Sequence, residues 1–239
     1  MYTAISYQID TADLTFQRTG ESLNSRLAVY RHFMHMANPD AKDMDSLVDT
    51  KIASERDLWE RMTFYGAFRG KDLIGTIACT ADDVHAGIPF ERGHSHPFDL
   101  TEIRQHGKVL EISLFSVGNG YAGSRDVLSG LFSCVIAHAE REGIAFLGTQ
   151  SAENRLAMYQ KIGFVAMTAR PVLKAVTQFP VIPAIYNFAR DLVDGNSRTS
   201  SFIAALMGEP RRITSVPIYE SAALLSDDAM LALVGRAHE

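Results

Sequence analysis

Val109-Leu110-Glu111-Ile112-Ser113-Leu114-Phe115-Ser116-Val117 runs directly into Gly118-Asn119-Gly120-Tyr121-Ala122-Gly123-Ser124-Arg125-Asp126, and a helical pattern follows at once. The first run reads as a strand. Its period of two puts Glu111, Ser113, Phe115 and Val117 on one face and Ile112, Leu114 and Ser116 on the other. From Val127 the helix shows Leu128, Leu131, Val135 and Ala139 along one stripe and ends near Gly143, where a left-handed cap is easy. A strand, a glycine-rich turn and a helix N-terminus in that order form an anion site, because unpaired backbone N–H groups and the helix dipole converge on one point. The stretch therefore predicts a phosphorylated ligand at its turn.

Working outward toward the C-terminus, Ile144 to Thr149 predicts a second strand beside the first, a parallel βαβ unit by connection length. A helix over 154–162 follows, then closing strands at Phe164 to Ala169 and Val172 to Val176. The core is expected to end near residue 182. Beyond it, a helix carrying Ile185, Phe188, Ala189 and Leu192, a breaker at Asp194-Gly195-Asn196-Ser197, a helical piece to Met207 and a last helix from Ala222 to Val234 form an extension. Toward the N-terminus, Leu23, Leu27, Tyr30 and Met34 mark an amphipathic helix that stops before Asn38-Pro39. The acidic run 40–61 reads as loop with short helical turns. Phe64 to Phe68 and Leu73 to Cys79 flank Arg69-Gly70-Lys71-Asp72 as an antiparallel hairpin, and 80–108 is a long connection of the kind that meets substrate. The reading is thus one α/β domain over 1–182, a mixed central sheet with helices on both faces, and a mostly helical extension over 183–239. The extension's apolar helices suit either a homodimer arm or a lid.

Composition narrows the partners. Hydrophobic residues at 46% and charged residues at 21% describe a globular rather than a disordered chain. The net charge of −5, with no block of Lys or Arg, argues against nucleic acid, which needs a basic face. Cys79 and Cys134 both sit in apolar segments, so a disulfide framework is not expected and a reducing cytosol fits. No apolar run reaches the ~18–20 residues of a membrane span. Met1-Tyr2-Thr3-Ala4-Ile5-Ser6 lacks the profile of a signal peptide, and a cytoplasmic location without membrane insertion is expected.

Together with Asn154-Arg155-Leu156-Ala157-Met158-Tyr159-Gln160-Lys161-Ile162-Gly163-Phe164, the strand and turn resemble the core of the GNAT acyltransferase superfamily. A narrower resemblance, from residue 23 to 170, is to its N-acyl amino acid synthase and acyl-homoserine-lactone (autoinducer) synthase branch. It rests on Arg26 and Tyr30, on Asp43-Met44-Asp45 before Asp49, on Gly87-Ile88-Pro89-Phe90-Glu91, and on Glu111-Ile112-Ser113 leading into Phe115-Ser116-Val117. The resemblance implies a GNAT fold and N-acyl transfer from an acyl thioester, on acyl carrier protein or coenzyme A, to the amine of an amino acid or similar small metabolite. It implies no tightly bound cofactor. It places the donor's phosphate and pantetheine arm at Phe115, Val117, Ala122, Gly123, Ser124, Arg125, Asp126, Val127 and Asn154, and the acceptor at Arg26, Tyr30, Asp43 and Asp45. An acetyl-CoA-dependent N-acetyltransferase and a non-catalytic acyl-thioester-binding protein are the alternatives. Three departures stand out: Leu114 occupies a position where the branch commonly has Arg, the Arg expected after the glycine of the preceding strand is replaced within Gly75-Thr76-Ile77-Ala78, and the superfamily's glycine-rich loop survives only as Ala122-Gly123-Ser124-Arg125-Asp126-Val127.

Acylation of an amine needs a deprotonated nitrogen, a stabilised oxyanion and a proton for the departing thiolate. Glu111 is the candidate base, since burial raises a carboxyl toward the useful range; the competing reading is a carboxylate that orders a loop or pairs with Arg26. Tyr159 is the candidate acid at the thiolate, against a half-buried packing tyrosine. Ser113 shares the strand face with Glu111, and its plain alternative is a hydrogen-bonded strand residue. The Val117 N–H is the candidate oxyanion donor. Asn154 competes between ligand contact and helix N-cap. Asp43, Asp45 and Asp49 form either a cation site or a solvated acidic loop, and Trp59 reads as a packing anchor. No metal site is expected, since His94-Ser95-His96 has no carboxylate or Cys at a familiar ligand spacing.

Overall fold

The computed structural model describes residues 13–19, 22–37, 46, 48–50, 53, 56–83, 85–92, 98–121, 123–174, 180–190 and 221–236. In chain order these give strand β1 (Leu14–Thr19), helix α1 (Leu23–Ala37), α2 (Arg56–Arg61), β2 (Met62–Arg69), β3 (Asp72–Ala81), a helical turn at Pro89–Arg92, β4 (Phe98–Asp99), a second turn at Thr101–Arg104, and β5 (Lys108–Val117). After a 3-10 turn at Asn119–Tyr121 come α3 (Arg125–Glu142), β6 (Ile144–Ser151), α4 (Glu153–Ile162), β7 (Val165–Ala166), β8 (Val172–Leu173) and β9 (Pro180–Asn187). The described chain closes with α5 (Asp227–Leu233) and β10 (Gly235–Arg236). This is a mixed α/β architecture. Two compact units share it, 1–80 with 112–138 and 81–111 with 139–239, and the chain passes between them at the end of β3, within β5 and within α3. No helix among the described residues is long and apolar enough to cross a membrane.

In the first unit the strand order is β1-β2-β3-β5. The expected hairpin is present, with Phe64 opposite Ala78 and Tyr65 opposite Ile77, and its tight turn is supported by Gly70 at φ +60°. Strand β1 pairs antiparallel with β2, Leu14 opposite Arg69 to Thr19 opposite Phe64. The sequence reading missed it because only Phe16 of its six residues is an apolar side chain fully removed from water. Helix α1 buries Val29, Tyr30 and Met34 in a cluster with Leu58, Trp59 and Phe64; of the stripe the spacing indicates, Tyr30 and Met34 are buried and Leu27 is half-buried, while Val29 joins the core from outside it. Helix α3 buries Val127, Leu131, Phe132 and Val135. Cys79 and Cys134 are free and buried, and burial pushes the Cys134 thiol up to about 12, which keeps it protonated and inert at neutral pH.

A close approach fixes how α3 meets β1. A Cβ built on Gly130 falls 2.2–2.5 Å from three ring atoms of the fully buried Phe16. The ring therefore lies on helix backbone, and only glycine leaves it room. Gly130→Ala is expected to lower unfolding stability by about 1–3 kcal/mol through overpacking, despite the ~1 kcal/mol that alanine gains in helix propensity. A denaturant midpoint equal to or above that of the parent would overturn the assignment, and Phe16→Leu in the same chain should recover part of the loss.

In the second unit the order is β5-β6-β9-β7, with β8 also on β9. Strands β6 and β9 are antiparallel, Phe146 opposite Asn187 to Ser151 opposite Ile182. The helix expected to carry Ile185, Phe188, Ala189 and Leu192 is corrected at its start: Ile185 lies in β9, residues 188–190 are helical, Leu192 lies outside the described residues, and the proposed boundary at 182 falls inside the strand. Apolar side chains on both faces of β9 mimic helical spacing in sequence, and Pro180 and Pro183 disguise a strand. Asn187 anchors the chain's last described part. Its Nδ2 donates to the Ala222 and Leu225 carbonyls at 2.7 and 3.1 Å, and its Oδ1 accepts from the Arg190 N–H. Arg190 pairs with Asp227 at 2.7 Å, and Ser226 caps α5 by accepting from the Ala229 N–H.

Candidate active site

Strand β5 carries Glu111 in the second unit, where its side chain is 1% exposed. A buried carboxylate without donors is costly, and a neighbouring strand supplies one: Gln150 Nε2, on β6, donates to Glu111 Oε1 at 2.6 Å. The partner is an amide. Gln150 Oε1 is itself buried and accepts no hydrogen bond among the described residues. Next along β6, buried Thr149 is hydrogen-bonded to the Tyr159 hydroxyl. Burial pushes the Tyr159 phenol above its ordinary value, outweighing Thr149 and Arg155, so the group stays protonated through the neutral range. Its ring also packs edge-on against Phe164 at 5.4 Å, so Tyr159 serves the core whatever else it does.

In the first unit, the rest of β5 departs from simple alternation. Leu114 stands at φ +51°, a left-handed conformation that a branched side chain seldom adopts, and its carbonyl accepts from Thr76 Oγ1 at 3.0 Å. A strand turned at this residue no longer keeps strict alternation across it, which corrects the two-face reading of 109–117. Ser113 Oγ is buried with no hydrogen-bond partner among the described residues. Phe115 packs on Phe132 of α3, ring centres 5.6 Å apart.

The turn after Val117 is built by backbone bonds: Gly118 N–H to the Ile74 carbonyl, Tyr121 N–H to Gly118, and Ser124 N–H to Tyr121. Ser124 then caps α3, its Oγ accepting from the Val127 N–H at 3.4 Å. Val127 is fully buried, so its side chain packs in the core instead of facing a donor. Arg125 and Asp126 are exposed in the first turn of the helix, and Gly123, at φ +80°, borders open space on its Cβ side. Ala122 lies outside the described residues.

Of the acceptor candidates, Arg26 donates to the Trp59 carbonyl at 2.8 Å, and Tyr30 is fully buried with its ring edge-on to Trp59 at 4.6 Å. Trp59 also stacks on Phe64. These residues fasten α1 to α2 and β2. Asp43 and Asp45 lie outside the described residues, as do His94 and His96. Asn154 is an exposed residue inside the first turn of α4, whose N-cap is Ala152, so the capping alternative is withdrawn.

Two features escaped the sequence reading. Gln150 carried no motif. Arg104, in the 80–108 connection, grips two carboxylates: Nε and one terminal nitrogen to Asp82 at 2.8 and 2.7 Å, and both terminal nitrogens to Glu91. Glu91 Oε2 also accepts from the Ile88 N–H, and Gly87 at φ +65° leaves the space that Glu91 uses. The only sequence signal was Glu91 itself, the last residue of the Gly87–Glu91 segment. Among the described residues, no group of three His, Cys, Asp or Glu side chains is placed to hold a metal.

No family model matches the chain, and no curated protein matches it. Solved structures do. FeeM, an N-acyl amino acid synthase from uncultured soil microbes, is similar over 73% of this chain and 90% of its own at 20% identity, with a TM-score of 0.54. The NatC complex bound to Gag peptide and CoA is similar over 74% of this chain and 99% of the matched one, at 15% identity and a TM-score of 0.49. For an acetyltransferase of Streptococcus agalactiae the values are 74%, 100%, 13% and 0.49. The strand, turn and helix built from residues 108–142, set in this mixed sheet and matched to FeeM, show that the chain has the GNAT fold.

Proposed function

We propose that the protein is an N-acyltransferase that moves a fatty acyl group from a carrier-protein or coenzyme A thioester to the amine of an amino acid or similar metabolite. The observation that carries this reading is Glu111, a carboxylate buried on a strand and held by a directed donor. Buried acids with a specific partner are characteristic of proton-transfer sites. In the proposed reaction the substrate ammonium gives one proton to Glu111 and its nitrogen attacks the thioester carbon. As the intermediate collapses, the C–N bond remains, the C–S bond breaks, and the thiolate takes the Tyr159 proton, which the nitrogen's second proton replaces. The products are an amide, a thiol and one proton left on Glu111. Burial keeps the Tyr159 phenol protonated at neutral pH, so the group proposed to donate carries its proton when the thiolate departs.

The donor follows from the turn. Coenzyme A carries a pyrophosphate and a ribose phosphate that need closely approaching backbone, which glycine permits and a Cβ crowds. A carrier protein brings one phosphodiester, which the first N–H groups of α3 can hold with Arg125 as a charged partner. Purified protein given matched acyl chains on both donors should therefore favour the carrier protein by roughly tenfold or more in kcat/KM, equivalent to about 1.4 kcal/mol. Equal efficiency or a preference for short acyl-CoA would sink this donor assignment and favour an acetyltransferase. Absence of any N-acyl product would sink the enzymatic reading.

A further inference from the structure

Gln150 is the residue that the proposed chemistry leaves unexplained. Its amide is divided between two tasks: Nε2 donates to Glu111 Oε1 at 2.6 Å, while Oε1 is buried with no donor among the described residues. Buried acceptors in folded proteins are nearly always satisfied, so one left open beside a buried carboxylate marks a place for a ligand donor. We infer that Gln150 binds the N–H of a primary ammonium through Oε1 while it positions Glu111 through Nε2. The inference rests on the acyltransferase reading and names the acceptor's reacting group.

The chemistry of the pair favours an ammonium over other donors. A primary ammonium has three N–H bonds. Glu111 takes one as base, and Gln150 Oε1 accepts another both before and after deprotonation, because a neutral carbonyl does not depend on the nitrogen's charge. A second carboxylate at position 150 would instead stabilise the cation and oppose its deprotonation. The Nε2 donor meanwhile favours the ionised form of Glu111, the form that can accept a proton.

Steady-state kinetics of two variants decide the matter. Gln150→Met keeps the volume and removes both polar atoms. It should raise the KM for the amine by roughly 10- to 100-fold, the range for a hydrogen bond to a charged group, and leave the donor KM unchanged. The acid limb of its kcat/KM profile should move to higher pH, since losing the Gln150 donor makes the ionised form of Glu111 less favourable. Gln150→Glu keeps an acceptor, so the amine KM should remain near the parent value while kcat falls and the acid limb again moves up. If the Met variant fails to fold, the Glu variant decides on the same readouts. A parent-like amine KM and pH profile in Gln150→Met, or an equal rise in both KM values, would overturn the inference and leave the acyltransferase reading standing. Absence of turnover in the parent protein would overturn both.

Discussion

Glu111→Gln is expected to lower turnover by roughly 10²–10⁴, the usual contribution of a general base, with the fold intact. The substitution is nearly isosteric, and its amide oxygen can still accept from Gln150, so the strand contact survives. What disappears is the ability to take a proton. Replacing a buried charge by a neutral amide also removes a desolvation cost, so the melting temperature should hold or rise. The same substitution would act differently if Glu111 only ordered the sheet. In that case, kcat would stay near the parent value and any loss would appear as reduced stability. Rates under donor and amine saturation, together with a thermal melt, separate the two. Near-normal turnover would remove Glu111 from the mechanism.

The fold was legible where local signals agree. Residues 109–142 combine a strand pattern, a turn rich in glycine and an amphipathic stripe, and each appears as β5, the 3-10 turn and α3. The hairpin of β2 and β3 was legible for the same reason, its turn residues standing between two apolar runs. Strand β9 was not, because a strand buried on both faces has no period of two to display, and its prolines speak against an interior strand. The left-handed Leu114 was also hidden, since leucine ordinarily disfavours that conformation and only tertiary contacts impose it. Among the residues discussed for the proposed site, Glu111 and Tyr159 were singled out in the sequence through a resemblance, whereas the contacts of Gln150 and Arg104 were not foreseen. Their meaning lies in partners 39 residues away for Gln150, and 22 and 13 away for Arg104, and no local pattern encodes such pairings.

Arg104→Met is expected to cost about 3–5 kcal/mol of stability, the range for breaking a buried ion pair by removing one partner. The side chains of Arg104, Asp82 and Glu91 are only 14%, 12% and 16% exposed, so water does little to screen what remains. One guanidinium serves two carboxylates, and its loss leaves two poorly solvated negative charges near each other. The hydrogen bonds of Asp82 and Glu91 hold the Arg104 guanidinium firmly protonated, well above its ordinary value, so the clamp persists across the whole working pH range. At ~2–4 °C per kcal/mol for a chain of this size, the melt should fall by about 6–20 °C. Arg104→Lys provides the control. It keeps the charge but loses the planar fork that meets both carboxylates at once, so a smaller loss is expected. The consequence reaches function because Arg104 ties the Asp82–Glu91 part of the connection to the helical turn that precedes β5. A loosened connection should also be cut earlier in limited proteolysis, at residues 82–104. An unchanged melt and an unchanged cleavage pattern in Arg104→Met would show that the three charges are merely neighbours, and that packing by Ile88, Leu100 and Ile103, all fully buried, holds the segment by itself.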